Sequence, residues 1–323
     1  MTSTILPRLL SQMGRSRVTR RLRRTGWVRH TAQAGLRRAL LTEHESRPND
    51  VTVLIGVRDR SDHRLVNALR TIRDQTHPAD LVHPMVVDYG SAAPNAHRTA
   101  DVCQQYEAEY VRVEADGAWS RARCLNVGIR LTTTKFLLTS DVDVVFSPRY
   151  LADAVEALED APFSVICAPM RDLPEESTEA FRRSAETGDA LEMQYWKERS
   201  SRRFDIDFHP SLAMTYTAFY QVIRGYDEYF EVWGVEDRDL MERLTGLGLS
   251  PQLLPSESFY LHQWHPKFEG VGAGEDAPAI RQNRTYVNRH HTILRNDDNW
   301  GRRHILDGTP ESSALHGESS QPG

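Results

Sequence analysis

The stretch "FLLTSDVDVVFSP", residues 136–148, decides how the chain is read. It begins as an apolar run of the kind a buried strand uses and then presents Asp141 and Asp143, separated by one valine. On a strand, alternate side chains share a face, which puts the two carboxylates roughly 6–7 Å apart on one side. Like charges at an apolar edge repel, and burial penalises both ionised forms. The pair therefore needs a cation or open water. Oxygen donors of this kind suit a hard divalent ion such as Mg2+ or Mn2+. Taken alone, the same pair reads equally as an exposed strand-end turn.

Upstream and downstream of this stretch the sequence alternates between strand and helix patterns. "VTVLIGV" (51–57), "HPMVVDYGS" (83–91), "EYVRVEA" (109–115), "KFLLTSDVD" (135–143) and "FSVICAPM" (163–170) read as strands. Asp62 caps a helix with Leu65, Leu69 and Ile72 on one face, and a further helix is predicted over 120–131. Ser147 and Pro148 supply an N-cap and first-turn pair for a helix that buries Leu151, Val155 and Leu158. The rhythm predicts an α/β fold with a mostly parallel central sheet and helices on both faces. Ligands of such sheets bind beyond the carboxyl ends of the strands. Arg58, Asp88, Asp141 and Asp143 all follow strands and converge on that edge.

Composition narrows the class. The 323 residues are 39% hydrophobic, and no apolar run reaches the length of a membrane span. Arginines break every apolar stretch near the N-terminus, so no signal peptide is read. Cys103, Cys124 and Cys167 are odd in number and lack a CxxC spacing, which speaks against a disulfide frame or a thiolate zinc site. A reducing, cytoplasmic setting is expected. Residues 1–42 hold ten arginines, no lysine and no acid, which leaves −15 on the rest of a chain whose net charge is −5. Ile5, Leu9, Leu10, Met13, Val18, Leu22, Trp27 and Val28 are interleaved with those arginines. Residues 1–48 are thus expected to form a basic helical arm that binds an anionic membrane surface. The same pattern also fits a solvated helix on the acidic body or an organelle-targeting peptide. No nucleic-acid partner is expected. The tail 307–323 reads as disordered.

The second half is less regular. Tyr226, Tyr229, Phe230 and Trp233 lead into "GVEDRDL", after which Leu240, Met241 and Leu244 read as the buried side of a helix. Glu236 and Asp237 in its first turn complement the macrodipole, or hold an acceptor hydroxyl with one acting as base. "SFYLHQWHP" (258–266) reads as a strand ending in His262 and His265, and a carboxylate with an imidazole favours Mn2+ over Mg2+. Gly270, Gly272 and Gly274 can hinge a lid, and a helix is predicted over 281–294. Arg121 at a helix start faces solvent or a diphosphate. Cys124 reads as a packed residue.

In order, "VTVLIGVRDR", "VVDYGS", "SRARCLNVG", "LLTSDVDVVFSP", "RGYDEYFEVWGVEDRDLMERL" and "FYLHQWHP" resemble a GT-A fold glycosyltransferase of the family 2 type. The second half is similar to the module of β-1,4-galactosyltransferases and chondroitin-polymerase-like enzymes. The resemblance implies a GT-A (Rossmann-like) domain over 49–300, with 49–170 binding the nucleotide-sugar and 171–300 the acceptor. It implies a metal-dependent, inverting hexosyltransferase that uses a UDP-sugar donor, Mn2+ or Mg2+, and a glycan or lipid-linked acceptor. Val57, Arg58 and Asp88 fall near the nucleobase, with Arg121 in the same pocket and Asp141 on the ribose or uracil side. Asp143 falls on the metal together with His262, His265 being the close second. Asp237 falls where the family has its base, and Glu236 where it binds acceptor. "GVED" stands where "GGED" is commoner and "VDYGS" where "VDDGS" is usual, so acceptor identity is the open question. A sugar nucleotidyltransferase, or a non-catalytic binder of the same fold, is the alternative. A cytoplasmic protein, peripheral on the inner face of the cell membrane, is expected.

Overall fold

Strand β1 (Val51–Val57) pairs in parallel with β2 (Val82–Tyr89) on one side and β4 (Phe136–Asp141) on the other. Val53, Leu54 and Ile55 are each 0% exposed, so both faces of β1 are covered. A strand covered on both faces is apolar throughout, which is why this stretch shows no alternation. The structure is a computed structural model and describes residues 47–115, 117–187, 192–202, 212–231, 234–266 and 278–302. The arm over residues 1–42, the tail from Asp307, Trp233, and the glycines Gly270, Gly272 and Gly274 lie outside the described residues.

The central sheet has seven strands. β3 (Glu109–Val113) follows β2, and beyond β4 come β9 (Ala213–Tyr216), β6 (Ser164–Cys167) and β10 (Ser250–Leu253). All pairings are parallel except those of β9, which runs antiparallel to both neighbours. The mostly parallel α/β sheet is the one expected.

Helix α1 (His63–Arg73) starts at Asp62, whose carboxylate accepts from the Arg64 amide at 3.0 Å, and it buries Leu65, Leu69 and Ile72. α2 (Ala93–Gln105) connects β2 to β3. α3 (Arg121–Leu131) lies close on β1 and β2. A side chain at Gly128 would run into Leu54, and one at Gly56 would meet Cys124 Sγ at 2.8 Å. All three cysteines are buried and unpaired, and burial pushes the Cys124 thiol up, as befits a packing residue.

A second, four-stranded sheet runs β5 (Val144–Phe146), β11 (Tyr260–His262), β7 (Met170–Asp172), β8 (Ser201–Arg202). It covers a separate apolar cluster that includes Phe181 of α5 (Glu175–Thr187) and Trp196 of α6 (Met193–Arg199). This sheet changes three expectations. The strand predicted over 135–143 stops at Asp141, and Val142 and Asp143 turn the chain out of one sheet into the other. The two aspartates therefore do not share a strand face. The strand predicted over 163–170 is split between the sheets as β6 and β7. Helix α4 (Tyr150–Asp160) begins after the proposed cap, because Ser147 Oγ is taken by the Phe259 amide at 3.1 Å.

The remaining helices are α7 (Thr217–Val222), α8 (Glu236–Leu247) and α9 (Pro278–Arg289), the last starting and ending earlier than the predicted 281–294. After α9 the chain returns across the body. Arg295 pairs with Asp239 at 2.9 Å, and Asp239 also binds Arg243 at 2.6 Å, with all three side chains almost wholly buried. Asn296 Nδ2 donates to the Tyr226 carbonyl at 2.6 Å, and Arg130 donates to the Trp300 carbonyl at 2.8 Å. Among the described residues no helix is long and apolar enough to cross a membrane.

Candidate active site

The parallel register brings the strand ends level. Val57 lies opposite Asp88, and Gly56 opposite Asp141. Val57 is buried, and Arg58 reaches outward to donate to the Gly117 carbonyl at 2.8 Å. Asp88 is 0% exposed, and its oxygens accept from the Ser91 amide at 2.9 Å and the Tyr110 hydroxyl at 2.7 Å. Its carboxylate thus holds the turn after β2.

Arg121 opens α3, where Ser120 caps the helix by accepting from the Arg123 amide at 3.2 Å. The same hydroxyl donates to the Phe230 carbonyl at 2.8 Å, so this helix start is fixed to the second half of the chain. Arg121 Nε binds Asp141 Oδ1 at 2.6 Å, and its guanidinium lies over the Tyr226 ring at 5.5 Å. Burial disfavours its charge, but Asp141, Tyr226 and Glu236 outweigh that and hold it firmly protonated. Arg123 turns away to the Glu228 carbonyl and to Glu231.

Asp143 has different partners. His265 Nε2 lies 3.2 Å from its Oδ2 and His262 Nε2 lies 3.7 Å from the same atom. One ligand atom from each of the three residues lies within 4.8 Å of the others. Burial alone would raise the Asp143 carboxyl, yet the two imidazoles and Arg64 bring it down to about 2. The bond to Asp143 raises His265. On the far side of His262, Nδ1 lies 3.1 Å from Asp172 Oδ1. A carboxylate behind a histidine fixes its tautomer and turns its other nitrogen toward an ion. One carboxylate and two imidazoles form a donor set that fits Mn2+. Asp172 was not read from the sequence. Only the β7–β11 pairing, which sets Asp172 opposite His262, reveals it.

The third group sits at a sharp corner. Gly234 and Val235 both have left-handed backbone, with φ 108° and 67°. Glycine adopts this freely, while for a β-branched valine it is strained by of order 1–3 kcal/mol. The corner aims Glu236 back on itself, its Oε2 accepting from the Gly234 amide at 2.7 Å. Glu236 is 6% exposed. Burial, helped by the charge of Asp237, pushes its carboxyl up to about 7. Asp237 is half-buried, and its Oδ1 accepts from the Arg238 amide at 2.6 Å.

The sequence model described as "Glycosyltransferase like family 2" matches residues 52–272, more than half of the chain. The chain belongs to that family. The matched span takes in every site residue named above. No curated protein sequence matches it. Among solved structures, it is similar to the mannosyltransferase PcManGT from Pyrobaculum calidifontis, in complex with GDP-Man and Mn2+, at 19% identity and TM-score 0.49 over 69% of this chain and 59% of that one. It is also similar to S. aureus TarS 1–349 at 15% identity and TM-score 0.50, over 66% of this chain and 60% of that one. This chain thus spans about three fifths of the length of each. The TarS likeness speaks for the GT-A fold.

Proposed function

We propose that the chain is a metal-dependent, inverting glycosyltransferase. It moves a hexose or N-acetylhexosamine from a UDP-sugar to a hydroxyl of a glycan or lipid-linked acceptor. The observation that carries this reading is the cluster of Asp143, His262 and His265, whose ligand atoms lie within 4.8 Å of one another. Asp143, His262 and His265 would hold a Mn2+ (or Mg2+) ion, which would supply positive charge for the departing diphosphate.

Val57 and Arg58 form the nucleobase side of the donor pocket, and Asp88 supports it from behind by holding the turn after β2. Arg121, kept charged by Asp141, faces the diphosphate. Asp237 accepts the proton of the acceptor hydroxyl as its oxygen attacks the anomeric carbon in line. The anomeric C–O bond breaks and its electron pair leaves on the nucleoside diphosphate. Glu236, partly protonated near neutral pH, holds the acceptor oxygen. The arginine-rich arm brings the enzyme to an anionic membrane surface on the cytoplasmic side.

A panel of nucleotide-sugars tests the reading, scored by release of free nucleoside diphosphate with Mn2+, with Mg2+ and in excess chelator. Release from a UDP-sugar that stops in chelator and in Asp143→Ala is expected. Full release in chelator overturns the metal dependence.

A further inference from the structure

Helix α9 divides its residues between two tasks. Ile280, Asn283 and Val287 are buried against the body. Asn283 Nδ2 donates to the Gly234 carbonyl at 3.4 Å, and Ile280 lies 3.6 Å from where a side chain on Gly234 would begin. The helix is thus braced on the corner that carries Glu236 and Asp237. Its other side opens into a groove of about 520 Å³, with Tyr229, Arg281, Gln282, Tyr286, Arg289 and His290 in its lining.

Three rings form one stack in that lining. Tyr229 lies on Tyr286 with centroids 3.8 Å apart and planes 9° from parallel, and Tyr286 lies on His290 at 4.0 Å and 23°. The middle ring is fixed by its hydroxyl, which donates to Asp227 Oδ2 at 2.9 Å. Tyr229 is nonetheless 48% exposed, the most open large apolar side chain among the described residues. An ordered aromatic surface beside convergent polar groups is the usual make-up of a ligand site. Ring faces of this kind pack against the C–H faces of sugar rings.

The charge of the groove is set against that of the protein. Residues beyond the basic arm carry −15, yet no lining residue of the groove is acidic among those described. Neighbouring arginines are engaged: Arg238 with Glu242, Arg243 and Arg295 with Asp239. Arg281 and Arg289 are exposed and have no ion-pair partner among the described residues. Eight residues apart on one helix, they stand about 12 Å apart along its axis. Two unpaired guanidiniums flanking an aromatic surface are suited to fork-like pairing with carboxylate or phosphate oxygens.

We propose that this groove binds an acidic sugar chain. Its sugar rings lie on the Tyr229 surface, and its carboxylate or phosphodiester groups pair with Arg281 and Arg289. To name that chain the acceptor rests on the glycosyltransferase reading, since α9 is braced on the Glu236–Asp237 corner. The binding itself does not depend on that reading.

Calorimetric titration of the full-length protein provides the test, with three probes of matched length: a hexuronate-containing tetrasaccharide, a phosphodiester-linked sugar oligomer and a neutral tetrasaccharide. At least one acidic probe should bind about tenfold more tightly than the neutral one at low salt. The advantage should vanish in Arg281→Ala/Arg289→Ala, while Tyr229→Ala weakens all binding. The acidic probe that wins identifies carboxylate or phosphodiester as the recognised group. All three side chains are exposed, and unchanged melting temperatures verify that the variants fold. Equal affinity for acidic and neutral probes, or wild-type affinity in the double variant, overturns the proposal. Release of nucleoside diphosphate from a UDP-sugar by the wild-type protein, with no acceptor present, is measured in parallel. That control reports only hydrolysis of the donor. Release is therefore also measured from a panel of nucleotide-sugars with the bound acidic probe present as acceptor. If none is released while that probe binds, the glycosyltransferase reading fails and the groove stands.

Discussion

Glu236→Gln should make the protein more stable, and only above a particular pH. Burial first, and then the charge of Asp237, pushes the Glu236 carboxyl from its usual 4.5 up to about 7, against the opposing pull of Arg121. At 1.36 kcal/mol per unit, ionising it in the folded state costs about 3 kcal/mol more than in the unfolded chain. Below pH 4.5 the carboxyl is protonated in both states and the penalty is absent. Between 4.5 and 7 the folded protein retains a proton that the unfolded chain has released, so stability falls as pH rises. Above 7 the penalty is fully present. Glutamine cannot ionise, and its amide oxygen still accepts from the Gly234 amide. Urea titrations from about pH 4 to about pH 8 should therefore give nearly coincident stabilities at the acid end and a variant ahead by about 3 kcal/mol at the other. Asp237→Asn, by removing the second cause, should narrow that gap. Parallel stability curves for wild type and Glu236→Gln would refute the assignment of this carboxyl.

Asp237→Asn should lower kcat by roughly 10²–10⁴ while donor affinity is kept, since the amide preserves shape but cannot take a proton. A near-normal kcat removes Asp237 as the base. Asp172→Asn should weaken metal affinity by about 10–100-fold through His262, read from the Mn2+ concentration that protects against thermal unfolding; an unshifted protection curve rejects the role. Removal of residues 1–46 should abolish co-sedimentation with anionic vesicles at low salt, with each arginine near the surface contributing about 1 kcal/mol. Equal binding by the two forms rules the arm out as an anchor.

The central sheet was legible because β1, β2 and β4 are long and buried on both faces, which leaves unbroken apolar runs in the sequence. Asp62 was legible because an N-cap is a local device. The small sheet was not. Its strands are two or three residues long, too short for any period, and their pairing brings together positions as far apart as Val144, Asp172 and His262. That is why Asp141 and Asp143 read as one pair although they serve Arg121 and the histidines separately. It is also why Ser147 read as a helix cap, since its competitor, the Phe259 amide, lies 112 residues away. Tyr229 and Arg289 became one groove only once α9 was seen braced on Gly234. Val235 gave no local sign of its left-handed backbone, because valine is among the residues least expected to adopt it.

The segment after α9 has a genetic consequence. A stop codon or frameshift falling between His291 and Arg295 leaves every residue of the proposed donor, metal and base positions encoded, and the acidic-sugar groove as well. What it deletes is the guanidinium beside Asp239 and the asparagine that holds the Tyr226 carbonyl. Asp239 keeps Arg243, so the loss stays below the roughly 3–5 kcal/mol of a buried charge left wholly unpaired, yet it is a sizeable part of the stability of an ordinary domain. Such an allele keeps every proposed site residue encoded, and the expected loss is of folded protein, read as a lower abundance, and not of the site's chemistry.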